Sequence, residues 1–169
     1  MISSSVVKEE MEILDAGETV EMLGLDYLNE LSTFGALSDE VIVNLLDNGV
    51  IKHFARGEYV TRLDQVASEF QVLLRGRVAY YKCFEGRDVL TRHFNQGEQI
   101  GFDLMIGLLS HNGTDVAVED SLILDISSEQ FCKLHVEFPA DFGLLMINLS
   151  RELAREIEIL EDVIGRGAG

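Results

Sequence analysis

Between Val50 and Ser127 the chain never sustains a helical period. Instead, β-prone runs alternate with glycines and acidic turns: Val50 to Phe54, Tyr59 to Thr61, Phe70 to Leu74, Arg77 to Phe84, Val89 to Phe94, Asp115 to Val118 and Leu122 to Ile126. Many short strands with this punctuation can bury an apolar face only by curling into a barrel, roll or sandwich. Gly57, Gly76, Gly86, Gly97 and Gly101 fall between or beside runs, where tight turns demand positive φ or close backbone approach. Glu85-Gly86 predicts a hairpin between Val78 to Phe84 and Val89 to Phe94. The inward set is expected to include Val72, Leu74, Val78, Tyr80, Leu90 and Ile126.

Helical spacing brackets this block. Upstream, Met22, Leu25, Leu28, Leu31, Val41, Leu45 and Leu46 predict two short helices broken at Thr33-Phe34-Gly35, with Ser38 as the N-cap of the second. Downstream, helical periodicity resumes at Glu129, and Pro139 opens a long helix. Its apolar positions Phe142, Met146, Leu149, Leu153, Ile157, Leu160 and Ile164 are separated by 4, 3, 4, 4, 3 and 4 residues, a single stripe. The spacing lies near the 3.5-residue repeat of a two-stranded seam, so these seven residues are the expected contact of a parallel homodimer, with packing on the chain's own strand domain as the alternative. The organisation reads as an acidic, loosely ordered arm over 1–20, helical near Val7 to Leu14; a β-roll domain with its leading helices over 21–137; and a dimerisation helix over 138–165.

Charge and composition narrow the function classes. Thirty acidic residues against thirteen basic give a net charge of −17, which repels phosphate backbones and anionic lipid, so neither nucleic acid nor membrane is an expected partner. No apolar run reaches bilayer-spanning length, and Glu9, Glu10 and Glu12 occupy the place of a signal peptide's apolar stretch, which predicts a cytoplasmic protein. Cys83 and Cys132 are too few for a disulfide framework or a four-cysteine metal site, and are expected as buried thiols. His53, His93, His111 and His135 show no His-x-His pairing followed by Glu, so no metal site is expected. Nucleophile-elbow, Walker and zinc-protease motifs are absent from the sequence, and nothing in it points to catalysis.

Four segments carry a family resemblance: Ala55-Arg56-Gly57-Glu58-Tyr59-Val60, Leu74-Arg75-Gly76-Arg77-Val78-Ala79-Tyr80-Tyr81, Glu85-Gly86-Arg87-Asp88-Val89-Leu90 and Phe94-Asn95-Gln96-Gly97-Glu98-Gln99-Ile100-Gly101. In this order, between leading helices and a long final helix, they resemble the cyclic nucleotide-binding domain of the cyclic-AMP receptor protein and of protein kinase A regulatory subunits. The resemblance spans about Leu31 to Ile164. It implies a mainly β fold, a double-stranded β-helix or jelly-roll with flanking helices and a long C-terminal helix. It also implies a ligand cassette at Gly101, Phe102, Asp103, Leu104, His111 and Asn112, and pairing of the last helix with a second copy.

The cassette departs from the family pattern. Phe102 stands where the resemblance implies a ribose-binding Glu, and His111 where it implies a phosphate-binding Arg; no Arg occurs between Arg92 and Arg151. A bidentate Arg–phosphate contact is among the stronger polar interactions, and a neutral His does not replace it. Ordinary cyclic-AMP binding is therefore not expected, and no other cofactor is. The apolar loop Gly101 to Thr114 predicts a short helix collapsed into the vacated pocket, with a pocket retuned for an apolar ligand as the alternative. No DNA-reading segment follows the last helix in this sequence, which argues against a transcription factor. The expected function is a stand-alone sensor or regulatory protein that acts by ligand or partner binding. A ligand-free adaptor dimer docking a basic partner on its acidic surface is the alternative.

Overall fold

In a computed structural model, residues 11–61 and 66–167 are described. A short strand β1 (Glu12–Leu14) precedes α1 (Ala16–Leu23), α2 (Leu25–Glu30), a 3-10 turn (Ser32–Phe34) and α3 (Asp39–Asn48). The strands follow as β2 (Val50–Phe54), β3 (Tyr59–Thr61), β4 (Glu69–Arg75), β5 (Arg77–Phe84), β6 (Arg87–Asn95) and β7 (Gln99–Ile100). After α4 (Phe102–Ile106) come β8 (Gly113–Ala117), β9 (Ser121–Ser127), α5 (Ser128–Glu137) and the long α6 (Pro139–Gly167).

The strands form two antiparallel sheets, β1-β2-β9-β4-β7 and β3-β8-β5-β6. This is the β-roll with flanking helices that the family resemblance implies, one of the closures open to the punctuated strands. Alternation along β4 and β9 decides what each face of the first sheet meets. Phe70, Val72 and Leu74 with Leu122, Leu124 and Ile126 face the helices, where Leu28, Phe34, Ile42, Leu45, Phe131, Leu145 and Leu149 close a large core. Leu73 and Ile123 face the second sheet and pack with Phe54, Val78, Phe94, Ile100 and Ala117 in a smaller core inside the roll. The same inner face buries Gln71 and Asp125, which are tolerated because Gln71 donates to Asp125 at 2.8 Å and Lys52 pairs with Asp125.

Local signals read from the sequence hold where the chemistry is local. Ser38 caps α3 through the Val41 amide, and Pro139 opens α6. All five glycines singled out have positive φ. Glu85 (φ 49°) and Gly86 (φ 74°) both adopt the left-handed region, so the β5–β6 hairpin closes with the two-residue turn whose twist matches its strands.

Four expectations change. Glu12–Leu14, read as part of an arm with helical tendency, pairs with β2 as an edge strand, and α1 begins at Ala16; residues 1–10 lie outside the described residues. Leu90 is 48% exposed instead of buried, because it sits in the distal half of the β5–β6 hairpin, whose residues project past the roll. Neither thiol is buried: Cys83 shares that half-exposed hairpin, and Cys132 lies on the face of α5 opposite the buried Gln130, Phe131 and Leu134. The stripe on α6 divides in two. Leu145 and Leu149 are fully buried in the chain's own core, with Phe142, Met146 and Leu153 packed against it. Leu149 therefore faces its own domain, while Ile157, Leu160 and Ile164 stay 57%, 43% and 70% exposed. Length explains the split: a 29-residue helix runs ~43 Å, and its packing on the core extends to Leu153, about halfway along.

Candidate functional site

The cassette segment starts at Gly101, whose left-handed φ of 80° turns β7 into α4. The first residue of that helix decides where everything else points. Phe102 is 2% exposed and packs edge-on to Phe70 and Phe131, with centroids 5.3 and 5.8 Å away, while its amide donates to Gln99 Oε1 at 2.9 Å. It belongs to the helix-side core and does not line a ligand cavity. Met105 is buried on the same side of α4. Ile106, Leu108 and Leu109 remain exposed, so the apolar loop collapses only in part.

Gly101, Asp103, Leu104 and His111 do converge on one cavity, enclosed with Tyr80 from β5, Phe94 from β6, Ile100 from β7, Asp115 from β8 and Glu156 from α6. Asn112 stands beside it and accepts from the Tyr80 hydroxyl at 2.8 Å. Gly113 makes this arrangement possible, because a Cβ there would collide with the Tyr80 ring. The cavity holds about 40 Å³. Sites for drug-sized ligands run to ~300 Å³ and above, and one water takes ~30 Å³ of liquid, so the space admits a solvent-sized group.

Its electrostatics are those of a carboxylate cluster. Asp115 is 3% exposed; Thr61 donates its hydroxyl to Oδ2, while Oδ1 has no hydrogen-bond partner. Burial, reinforced by the charge of Asp103, pushes the Asp115 pKa up to about 6, against the Thr61 bond and the nearby Arg92. Asp103 is raised by burial and by Glu156. The Tyr80 phenol is pushed up to about 12 by burial and by Asp115, Asp103 and Glu156. Burial lowers the His111 pKa, with Asp103 opposing, so the imidazole is neutral at physiological pH. Arg92 is committed: it pairs with Glu156 at 2.7 Å and lies 4.1 Å above the Phe94 ring. These contacts tie the β-roll to α6.

A second anchor lies one helical turn earlier. Glu152 accepts from Ser32 and Thr33 hydroxyls at 2.9 and 2.8 Å and from the Gln99 amide at 2.8 Å. Burial raises its pKa, although these three donors oppose the shift.

Tyr80, Arg92, Asp115, Glu152 and Glu156 were not among the site residues expected from sequence. Two carried a legible signal. Asp115 sits between Gly113 and Ala117 on the inward alternation of β8, where a carboxylate is out of place. Glu156 lies seven residues after the buried Leu149, hence on the roll-facing side of α6.

Comparison with known proteins agrees with this architecture. The family model for the cyclic nucleotide-binding domain matches residues 51–137, and the chain belongs to that family. A cyclic nucleotide-binding domain from Methylobacillus flagellatus KT superposes with a TM-score of 0.77 at 19% identity, covering 92% of this chain and 89% of that one. The Thermus thermophilus catabolite activator protein superposes at 0.67 with 19% identity, covering 81% of this chain and 63% of that one. The sensor domain of the transcriptional regulator DNR from Pseudomonas aeruginosa superposes at 0.63 with 21% identity, covering 82% and 93%. No curated protein matches the chain. The described lining is a poor match to a cyclic phosphate, because its polar side chains are mostly carboxylate, Asp103, Asp115 and Glu156.

Proposed function

We propose that this chain is a non-enzymatic regulatory module of its family that works by contact with a protein partner, without cyclic nucleotide as its ligand. The observation that carries this reading is the cavity of about 40 Å³ with Asp103, Asp115 and Glu156 on its wall. A cyclic phosphate brought there meets like charge and, among the described residues, no uncommitted guanidinium, since Arg92 is held by Glu156. Arg92–Glu156 and the Glu152 contacts with Ser32, Thr33 and Gln99 supply a route by which changes in the roll reach α6. The exposed Ile157, Leu160 and Ile164 favour pairing of that helix with a second copy. The net charge of −17 supports the adaptor variant of this reading, in which the acidic surface docks a basic partner.

The test is calorimetry and thermal unfolding with cyclic AMP, cyclic GMP and cyclic di-GMP. A ligand at 100 times its dissociation constant adds ~2.7 kcal/mol to stability, an effect readily seen. Millimolar cyclic AMP is expected to leave the melting temperature unchanged; a micromolar dissociation constant overturns the reading.

A further inference from the structure

The carboxylate cavity contains an acceptor with nothing to accept. Asp115 is 97% buried, its Oδ2 is engaged by Thr61, and its Oδ1 lacks a donor. A buried lone carboxylate oxygen is a standing demand for a hydrogen-bond donor, and more so for a charged one. Around it, Asp103 and Glu156 bring the acidic groups on the wall to three. Among the described residues the guanidinium beside them is that of Arg92, which already pairs with Glu156 and covers Phe94. Tyr80 adds a ring to the wall, and its hydroxyl proton is spent on Asn112, which leaves the phenol oxygen as an acceptor. Apart from the neutral His111 imidazole, which carries one N–H, the unspent side-chain groups on the described wall accept or carry negative charge, which favours a cation with N–H donors.

Size and geometry narrow the class. About 40 Å³ accommodates an ammonium group. A metal ion is disfavoured, because among the described residues no three His, Cys, Asp or Glu side chains are grouped to hold one. We propose that the cavity binds the ammonium head of a small primary amine, with Asp115 Oδ1 as its principal acceptor and Asp103 and Glu156 as counter-charges. The proposal rests on the reading that no cyclic phosphate occupies this place. Because Glu156 belongs to α6, an amine that competes with Arg92 for it couples occupancy to the helix.

The probe is methylammonium chloride, with tetramethylammonium chloride as the control of equal charge and no N–H donor, and magnesium chloride as the metal control. Thermal unfolding and calorimetry are read on the wild-type chain, Asp115→Asn and Asp103→Asn. Millimolar methylammonium is expected to raise the wild-type melting temperature more than tetramethylammonium does at equal ionic strength. Each substitution is expected to weaken methylammonium about tenfold or more, a difference of ~1.4 kcal/mol. Equal responses to the two ammonium salts, a response to magnesium alone, or an unaltered affinity in both variants overturns the proposal. A cyclic AMP titration on the same samples separates the two readings: micromolar binding overturns the regulatory reading, whereas silence to every probe overturns the amine site alone.

Discussion

The two faces of the five-stranded sheet carry different kinds of interior. On the helix side, Phe70, Val72, Leu74, Phe102, Phe131, Leu145 and Leu149 pack into one continuous apolar core. On the roll side the apolar cluster is smaller, and it shares its space with Gln71, Asp115 and Asp125, all at most 5% exposed. The first face holds the fold together by area removed from water. The second tolerates buried charge and two unsatisfied oxygens, Gln71 Oε1 and Asp115 Oδ1, against one, Gln130 Oε1, on the helix side. The apolar core and the carboxylate cavity are thus separated by the thickness of one sheet, and α4 is the element where they meet. Phe102 belongs to the first face, and its neighbour Asp103 to the second.

That division is tested most severely at Phe102. Phe102→Ala removes a ring packed on Phe70 and Phe131 and should cost ~3–5 kcal/mol in urea unfolding. Phe102→Glu, the change that would install the carboxylate implied by the family pattern, places an unpaired charge in the apolar core and should abolish stable folding. A stable, folded Phe102→Glu protein would show that the two faces are not separate. By contrast Leu108→Ala, at a side chain 92% exposed, should stay within ~0.5 kcal/mol of wild type.

On the roll side the expected effect is a pH dependence. An unfolded Asp titrates near ~3.9, and Asp115 in the folded chain near about 6. Between these values the native state binds the extra proton, so stability is highest at the acid end and falls as pH rises through 6. That difference is worth ~3 kcal/mol at neutral pH. The groups facing Asp115 are Asp103, Arg92 and Thr61, with Tyr80, Glu156 and His111 on the same wall. Asp103 shifts upward and adds to the trend. His111, shifted downward, opposes it, because the unfolded state takes up that proton first as pH falls below ~6.5. Asp115→Asn should flatten the slope and raise stability at pH 7. Denaturant midpoints at pH 5 and pH 7 read both, and a wild-type protein more stable at pH 7 than at pH 5 contradicts the assignment.

A smaller loss is expected at the seam between the two faces. Glu152→Ala removes the acceptor of the Gln99 amide, while the Ser32 and Thr33 hydroxyls keep the Gly97 carbonyl oxygen, and should cost ~1–3 kcal/mol through the one donor left unmatched. If the link also fixes the middle of α6, amide exchange near Leu153 should quicken in this variant while β4 and β9 stay protected.

The helix-side face was legible in the sequence because its signals are periodic: the β4 and β9 runs, the Ser38 cap, Pro139 and the Glu85-Gly86 turn each declare themselves within a few residues. The roll-side site was only half legible. Gly101, Asp103, Leu104 and His111 follow from motif order, but Arg92, Asp115 and Glu156 come from three elements that the topology alone brings together. Phe102 shows the limit of counting along a motif, since one residue of offset on a helix turns a side chain by about 100° and moved it from the cavity to the core. The α6 stripe shows a second limit: periodicity marks an apolar face without telling how much of it the chain's own domain covers.

The smallest expected effect on folding falls on the exposed half of that stripe, where the consequence for assembly is the largest. Leu149 is fully buried and Leu153 packs on the core, so charging either would report on the fold. Ile157 and Leu160, 57% and 43% exposed, make the cleaner pair. Ile157→Glu with Leu160→Glu should change the unfolding free energy of the isolated chain by no more than ~0.5 kcal/mol per site. In a homodimer the same side chains leave water, each contributing up to ~1.5–3 kcal/mol, and four new carboxylates on one seam should then split it. Sedimentation at micromolar concentration should show a wild-type dimer and a folded double-mutant monomer. A wild-type monomer at that concentration defeats the pairing of α6 and leaves its distal apolar face to a partner protein.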